Sequence, residues 1–221
     1  MLKAKGILKA KGYRRKVKGE RIIEGKPLAF YLAEEQLMAQ QVTEPTFFTW
    51  VVPPTVIYGQ HQVREQEVNE AYCRENHIAV VQRQSGGGCV YADQGNVMLS
   101  YISPSNHATQ EFEWFLNRVA NALQQLGYPA VTTEHNDILV DGHKVSGFAC
   151  HKLPNATIVH ATMLYDVNLE ALQNAITPSV EKLEKHAVQS VRQRVMNLKY
   201  LRDLGTTADF RKRLENMLNS K

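Results

Sequence analysis

The chain reads as an α+β fold, with mixed β-sheets flanked by helices. Three observations predict it. Short β-branched or aromatic runs recur along the sequence, several close enough to form hairpins. Stretches of helical period are interspersed among them. No linker-like segment divides residues 20–221. A chain of 221 residues, 43% of them hydrophobic, suffices for one large domain or at most two small ones, and the missing linker favours one.

The elements follow in order. Residues 27–42 read as a helix that begins at Pro27 and carries Leu28, Tyr31, Leu32 and Leu37. Residues 47–52, Phe-Phe-Thr-Trp-Val-Val, form a strand stopped by Pro53 and Pro54, and Thr55-Val56-Ile57-Tyr58 forms another, ended by Gly59. Residues 67–77 are helical, with acidic groups early to suit the helix dipole. Ile78-Ala79-Val80-Val81 and Val97-Met98-Leu99-Ser100-Tyr101-Ile102 are strands on either side of a glycine-rich loop. Residues 110–126 are the clearest helix: Phe112, Phe115, Leu116, Val119, Leu123 and Leu126 repeat on one face, and Gly127 stops it. Those aromatics are core. Asp141-Gly142 sits between Ile138-Leu139-Val140 and His143-Lys144-Val145, the strongest short hairpin signal. Residues 157–167 form a further strand with Ile158, His160, Thr162 and Leu164 on one face. Short helices follow after Asn168 and at Pro178, and a last one starts near Ala208.

Charge and cysteine content narrow the class. The net charge is +4, yet the first nineteen residues hold eight cations and no acid. Setting those eight aside leaves 18 basic against 22 acidic side chains, so the body is mildly acidic. Residues 1–19 thus read as a basic extension, and Leu2-Lys3-Ala4-Lys5-Gly6 recurs within it as Leu8-Lys9-Ala10-Lys11-Gly12. Such an arm can meet an acidic partner, or it can be a solvated leader; a nucleic-acid role is the weaker expectation. No apolar run approaches the ~18 residues of a membrane span, and no apolar core follows the basic start as in a signal peptide. Cys73, Cys89 and Cys150 form no Cys-x-x-Cys pair, which argues against a disulfide framework or a structural zinc and fits a reducing cytoplasm.

The most informative stretch is Arg83-Gln84-Ser85-Gly86-Gly87-Gly88-Cys89-Val90-Tyr91. Consecutive glycines let backbone N–H groups approach and face an anion, and Arg83 adds a forked charge suited to phosphate or carboxylate. The spacing matches neither the phosphate-binding loop of P-loop proteins nor the dinucleotide fingerprint. A flexible turn is the alternative. Downstream, Asp137 lies just before one hairpin strand and Lys144 sits on the other, with Val145-Ser146-Gly147 after it. A lysine against an apolar sheet needs a countercharge. Opposite a glycine loop, that countercharge is a bound phosphate or carboxylate, whose developing charge Lys144 would stabilise. Asp137 is then placed to hold Mg²⁺. An exposed hairpin lysine and a turn aspartate are the plain alternatives. His160 reads first as a satisfied pocket or core histidine, and Cys89 and Cys150 as small pocket or core residues.

These residues resemble the lipoate-protein ligase family, within the biotin/lipoate ligase and octanoyltransferase superfamily. The resemblance spans residues 21–201. It includes Arg21-Ile22-Ile23, Leu32-Ala33-Glu34-Glu35, Gly59-Gln60-His61-Gln62, the glycine loop with Gly95-Asn96, Asn136-Asp137, and Lys144-Val145-Ser146-Gly147. His160-Ala161-Thr162-Met163-Leu164 and residues 190–198 match later motifs. The resemblance implies a class II biotin/lipoyl synthetase-like catalytic domain. It implies that ATP and lipoate form lipoyl-adenylate, and that the lipoyl group passes to a lysine on an apo lipoyl domain of a 2-oxoacid dehydrogenase or on the glycine-cleavage H protein. Arg83, Ser85, Gly86, Gly87, Gly88, Cys89, Val90, Tyr91, Asn96, Asp137 and Lys144 would hold ATP or the adenylate. Trp50, Arg83, Lys144, Gly147 and His160 would hold lipoate, Lys144 would be catalytic, and Asp137 would assist with Mg²⁺. An acyl-adenylate is already activated, so no enzyme nucleophile is required.

Three departures stand out. Ala92 replaces the family's histidine, Gln82-Arg83 replaces a double arginine, and the chain ends soon after the last shared motif. Many members of the family carry a further C-terminal domain, so the resemblance leaves three alternatives open: a separate accessory protein, use of preformed adenylate, or action alone. One rival is an octanoyl or lipoyl transferase with a cysteine acyl-enzyme; residues 131–135, where that cysteine is expected, contain none, leaving Cys150. The other is a non-catalytic lipoyl-binding protein.

Overall fold

The computed structural model describes residues 25–134, 136–176 and 195–220. The basic extension, Arg21-Ile22-Ile23, His135, the helix expected at Pro178, and residues 190–194 of the last family motif lie outside them. The described helices are α1 (Leu28–Ala39), α2 (Arg64–Glu67), α3 (Glu70–Glu75), α4 (Ala108–Gln125), α5 (Leu169–Ala175), α6 (Leu198–Leu201) and α7 (Thr207–Asn219). The strands are β1 (Thr46–Trp50), β2 (Thr55–Tyr58), β3 (Ala79–Gln82), β4 (Val90–Ala92), β5 (Asn96–Ser103), β6 (Ala130–Thr132), β7 (Asp137–Val140), β8 (His143–Leu153) and β9 (Ala156–Leu164).

Two sheets result among the described residues, flanked by helices as the sequence predicts. The larger runs β1-β5-β9-β8-β7-β6 and is antiparallel throughout. The smaller runs β3-β2-β4, with β2 parallel to β3 and antiparallel to β4. Alternation along β5 shows how the large sheet is packed. Val97, Leu99 and Tyr101 face α4 and α7, where Phe115 stacks on Tyr101 at 4.9 Å. Met98 and Ile102 face α1, where Tyr31 stacks on Trp50 at 4.3 Å. Every residue of β5 is buried, because both faces of the sheet are covered. Ile57, Ala92, Val81 and Val90 bring the small sheet onto the α1 side of the same core. Among the described residues, no helix is long and apolar enough to cross a membrane.

The helix expected over 67–77 is instead two short ones. Val68 between them is extended and bridges to Ile176, and Asn69 then caps α3 by accepting from the Tyr72 N–H at 3.2 Å. Pro27 is the residue before α1, not its first. The two strands expected around the glycine loop belong to different sheets. A three-residue strand, β4, intervenes, so the loop joins β3 to β4. The Asp141-Gly142 hairpin forms as expected, with φ of 50° and 77° at the two turn residues.

Candidate active site

The loop after β3 closes around the side chain of its own arginine. Arg83 is 6% exposed. Its Nε–H is shared between Ser85 Oγ at 3.1 Å and the Gly86 carbonyl at 3.2 Å. Nη2 donates to the carbonyls of Gly86 and Gly88 at 2.7 and 2.8 Å, and Nη1 donates to Ile57 at 3.1 Å. A guanidinium has five N–H donors, so one is left. Burial lowers the Arg83 pKa, and among the described residues it has no carboxylate partner. In a trans peptide the N–H points opposite the preceding C=O. With the Gly86 carbonyl held by Arg83, the Gly87 amide is turned away from the guanidinium. Gly87 has φ +91°, a conformation few other residues adopt. The loop is therefore a preformed donor surface over a buried positive charge.

The opposite wall is the β7–β8 hairpin. In a regular strand Lys144 and Gly147, three residues apart, would face opposite sides. They do not, because the register shifts: Asp137 pairs with Gly147 and Ile138 with Ser146, but Leu139 pairs with Lys144, leaving Val145 as the extra residue. This bulge turns Lys144 to the face of Asp137 and Gly147. Lys144 Nζ lies 2.8 Å from Asp137 Oδ1, with the side chains 37% and 23% exposed. A Cβ on Gly147 would stand 3.0 Å from both Lys144 Cε and Nζ, so the absent side chain makes room for the ammonium. Asn136, in the left-handed region at φ 66°, sets the entry of β7.

Between these walls is a cavity of about 220 Å³. Leu28, Leu32, Trp50, Ile57, Val90 and Met98 make one part of its lining apolar. Arg83, Gly87, Gly88, Asn136, Asp137, Lys144 and Gly147 make another part polar. Cys89 and His160 also line it. Ten of the residues singled out from sequence thus meet: Trp50, Arg83, Gly87, Gly88, Cys89, Val90, Asp137, Lys144, Gly147 and His160. Ser85, Gly86, Tyr91 and Asn96 are not on its wall. Ser85 lies behind the loop. Tyr91 packs into the core beside α3 and α5. Asn96 is fully buried and donates to the Tyr91 carbonyl at 3.4 Å, and among the described residues its own Oδ1 meets no donor. Cys150 packs towards the α4 side, and burial raises its thiol pKa, so it is not poised to attack anything in the cavity.

A buried polar chain supports the loop from behind, and sequence reasoning did not find it. Trp50 Nε1–H donates to Ser100 Oγ at 2.8 Å, and Ser100 donates to Glu35 Oε1 at 2.5 Å. Glu35 Oε2 lies 3.4 Å from His160 Nδ1, and His160 Nε2 lies 2.6 Å from Ser85 Oγ. The two ring nitrogens of His160 thus join Ser85 to Glu35. Glu35 was visible within the Leu32–Glu35 motif, but no spacing links positions 35, 85, 100 and 160.

Residues 27–219 match the lipoyl protein ligase A/B catalytic domain. The chain belongs to this family. Lipoate-protein ligase LplJ of Bacillus subtilis is 37% identical over 167 residues, covering 75% of this chain and 50% of the relative. Lipoate-protein ligase 1 of Staphylococcus aureus is 35% identical over 182 residues, covering 81% and 56%. The chain spans about half the length of these curated relatives. A bipartite lipoate protein ligase from Thermoplasma acidophilum, described with its E2 lipoyl domain, superposes with a TM-score of 0.74 at 27% identity, covering 89% of this chain and 81% of that one. A lipoate-protein ligase A structure bound with ATP gives 0.73 at 26% identity, covering 89% and 83%. The fold of this ligase-family domain is therefore the lipoate-protein ligase catalytic fold.

Proposed function

We propose that this chain activates lipoate with ATP, forming lipoyl-adenylate and pyrophosphate, and then transfers the lipoyl group to a lysine of an apo lipoyl domain. One observation carries the reading: a single cavity joins an apolar chamber to an anion site formed by glycine amides and Lys144. An acyl chain fits the first and a carboxylate or phosphate the second. Relatives named as lipoate-protein ligases, one of them bound with ATP, support it, as does a Thermoplasma acidophilum structure with bound lipoic acid.

In the first step a lipoate carboxylate oxygen attacks the α-phosphorus and pyrophosphate leaves. Lys144 exchanges Asp137 for the substrate oxygens. That exchange costs little, since a half-exposed ion pair contributes only about 0.2–1 kcal/mol. The loop amides bind phosphate oxygen, and Arg83 adds its charge from beneath. In the second step the carrier amine attacks the lipoyl carbonyl and AMP leaves, with Lys144 beside the carbonyl oxygen. Among the described residues no cluster of three or more His, Cys, Asp or Glu forms a protein-only metal cage. A lone part-exposed carboxylate does fit Mg²⁺, which takes one or two carboxylates together with substrate phosphates, and Asp137 would hold it. Bound there, Mg²⁺ would neutralise phosphate charge.

The carriers proposed are lipoyl domains of 2-oxoacid dehydrogenases or the glycine-cleavage H protein, in the cytoplasm. Residues 20–221 are taken as one catalytic domain behind a basic extension at 1–19. The bipartite relative supports a separate accessory protein. The test is incubation with ATP, Mg²⁺, lipoate and an apo lipoyl domain, reading the carrier's mass, and again with synthetic lipoyl-adenylate. Gain of one lipoyl group is expected. No gain under either condition, with or without an accessory protein, overturns the reading.

A further inference from the structure

The turn after β2 is not part of the cavity wall, yet it is built against the glycine loop. β2 and β3 are parallel, so the turn at 59–62 and the loop at 83–89 leave neighbouring strands at the same end. Gln60 N–H donates to the Ser85 carbonyl at 3.0 Å. Gln82 Nε2 donates back to the Gln60 carbonyl at 3.2 Å. Gln62 clamps the turn: its Oε1 accepts the Gly59 N–H at 2.8 Å, and its own N–H donates to the Gly59 carbonyl at 3.1 Å. The closest approach is at Gly59. A Cβ there would stand 2.5 Å from the Gly87 carbonyl oxygen and 3.2 Å from Arg83 Nη2. An ordinary contact starts at 3.4 Å, and the obstacle is backbone, which cannot swing aside like a side-chain tip.

We propose that the 59–62 turn positions the triglycine loop for the nucleotide, with Gly59 setting the height of Gly87 and Gln62 holding the turn in place. Gly59 and Gln62 are positioning residues. They act through the Gly87 peptide, whose carbonyl meets Gly59 and whose partner N–H, on Gly88, faces the other way. This rests on the reading of the loop as the ATP site.

Gly59 is a clean probe, because its φ lies outside the left-handed range and alanine adds no backbone strain there. Gly59→Ala is expected to raise KM for ATP about tenfold, with KM for lipoate within about twofold. Loss of folded protein would lower apparent kcat and leave KM alone, so the split separates positioning from mere destabilisation. Hydrogen exchange in the 83–89 peptide, which needs no activity, is expected to quicken in the variant. Gln62→Met, similar in size and without the acceptor, should shift both readouts the same way, and decides the matter if Gly59→Ala does not fold. Unchanged loop exchange with unchanged KM for ATP overturns the inference. Wild-type protein without lipoate-dependent pyrophosphate release overturns the functional reading instead, and the exchange result still judges the contact.

Discussion

On the small-sheet side of the cavity, Arg83 is buried and distributes its donors over Ile57, Ser85, Gly86 and Gly88. On the large-sheet side, Lys144 is 37% exposed and meets Asp137. Both are cations facing the same space, but they hold different offices. Arg83 is committed to the protein, so removing it disturbs the fold. Lys144 has a weak, exchangeable partner and is available to a ligand, so removing it should disturb chemistry alone. Burial and the number of donors engaged make that division.

The sharpest way to break this comparison is Lys144→Ala. Lipoate-dependent pyrophosphate release should fall by roughly 10²–10³-fold, the scale of losing one transition-state charge contact. The unfolding midpoint should move by under about 4 °C, since the exposed pair contributes at most ~1 kcal/mol. Unchanged turnover would sink the role given to Lys144. Arg83→Met should do the reverse. It orphans the buried carbonyl of Ile57 and the part-exposed carbonyls of Gly86 and Gly88, and a buried unmet group costs about 1–3 kcal/mol. A net loss of roughly 1–3 kcal/mol, read by urea unfolding, is expected. Arg83→Lys should not restore it, because an ammonium lacks the planar fork that reaches three carbonyls. Full stability in Arg83→Lys would show that charge, not geometry, holds the loop.

Gly147→Ala probes the hairpin wall more gently. The new Cβ would meet Lys144 Cε and Nζ at 3.0 Å, and both belong to the flexible end of a long side chain. Lys144 can give way, so the fold should hold while activity drops about tenfold, short of the ~100-fold that a full ångström of misplacement can cost. An activity loss equal to that of Lys144→Ala would mean that the bulge, not the side chain alone, has moved.

How far these walls were legible in the sequence differs between them. The Asp141-Gly142 turn and the helical face of α4 could be read directly, since each depends on local period or turn chemistry, whereas the pairing of the glycine loop with Lys144 rests on the resemblance in motifs and not on period. The bulge at Val145 could not, because it appears only when β8 is registered against β7. Neither could the inward turn of Arg83, because its acceptors include Ile57, brought in from β2. The three residues of β4 are too few to show a period. The chain through Trp50, Ser100, Glu35, His160 and Ser85 joins three strands, a helix and a loop, and a core glutamate reads from sequence as an exposed helix position. Long-range pairing is what sequence period leaves out.

The smallest effect concerns the support behind the loop wall. His151 and His160, with Glu35, line a second cavity that lies behind the loop and shares Leu32 and His160 with the first. Burial lowers the His151 pKa, the neighbouring His160 imidazole lowers it further, and Glu35 partly offsets both. Folding therefore prefers neutral His151. Its contribution is fully present above the unfolded imidazole value near 6.5 and is lost as pH falls through the lowered folded-state value, because there the unfolded chain binds the extra proton. His151→Gln removes that proton linkage. Between pH 7.5 and 5.5 the variant's unfolding midpoint should fall less than the wild type's, by roughly 1–2 °C, on a scale where ~1 kcal/mol moves a domain of this size by about 2–4 °C. Equal acid sensitivity in the two proteins would mean that His151 is as well hydrated in the folded chain as in the unfolded one, and that the space behind the glycine loop is open to water.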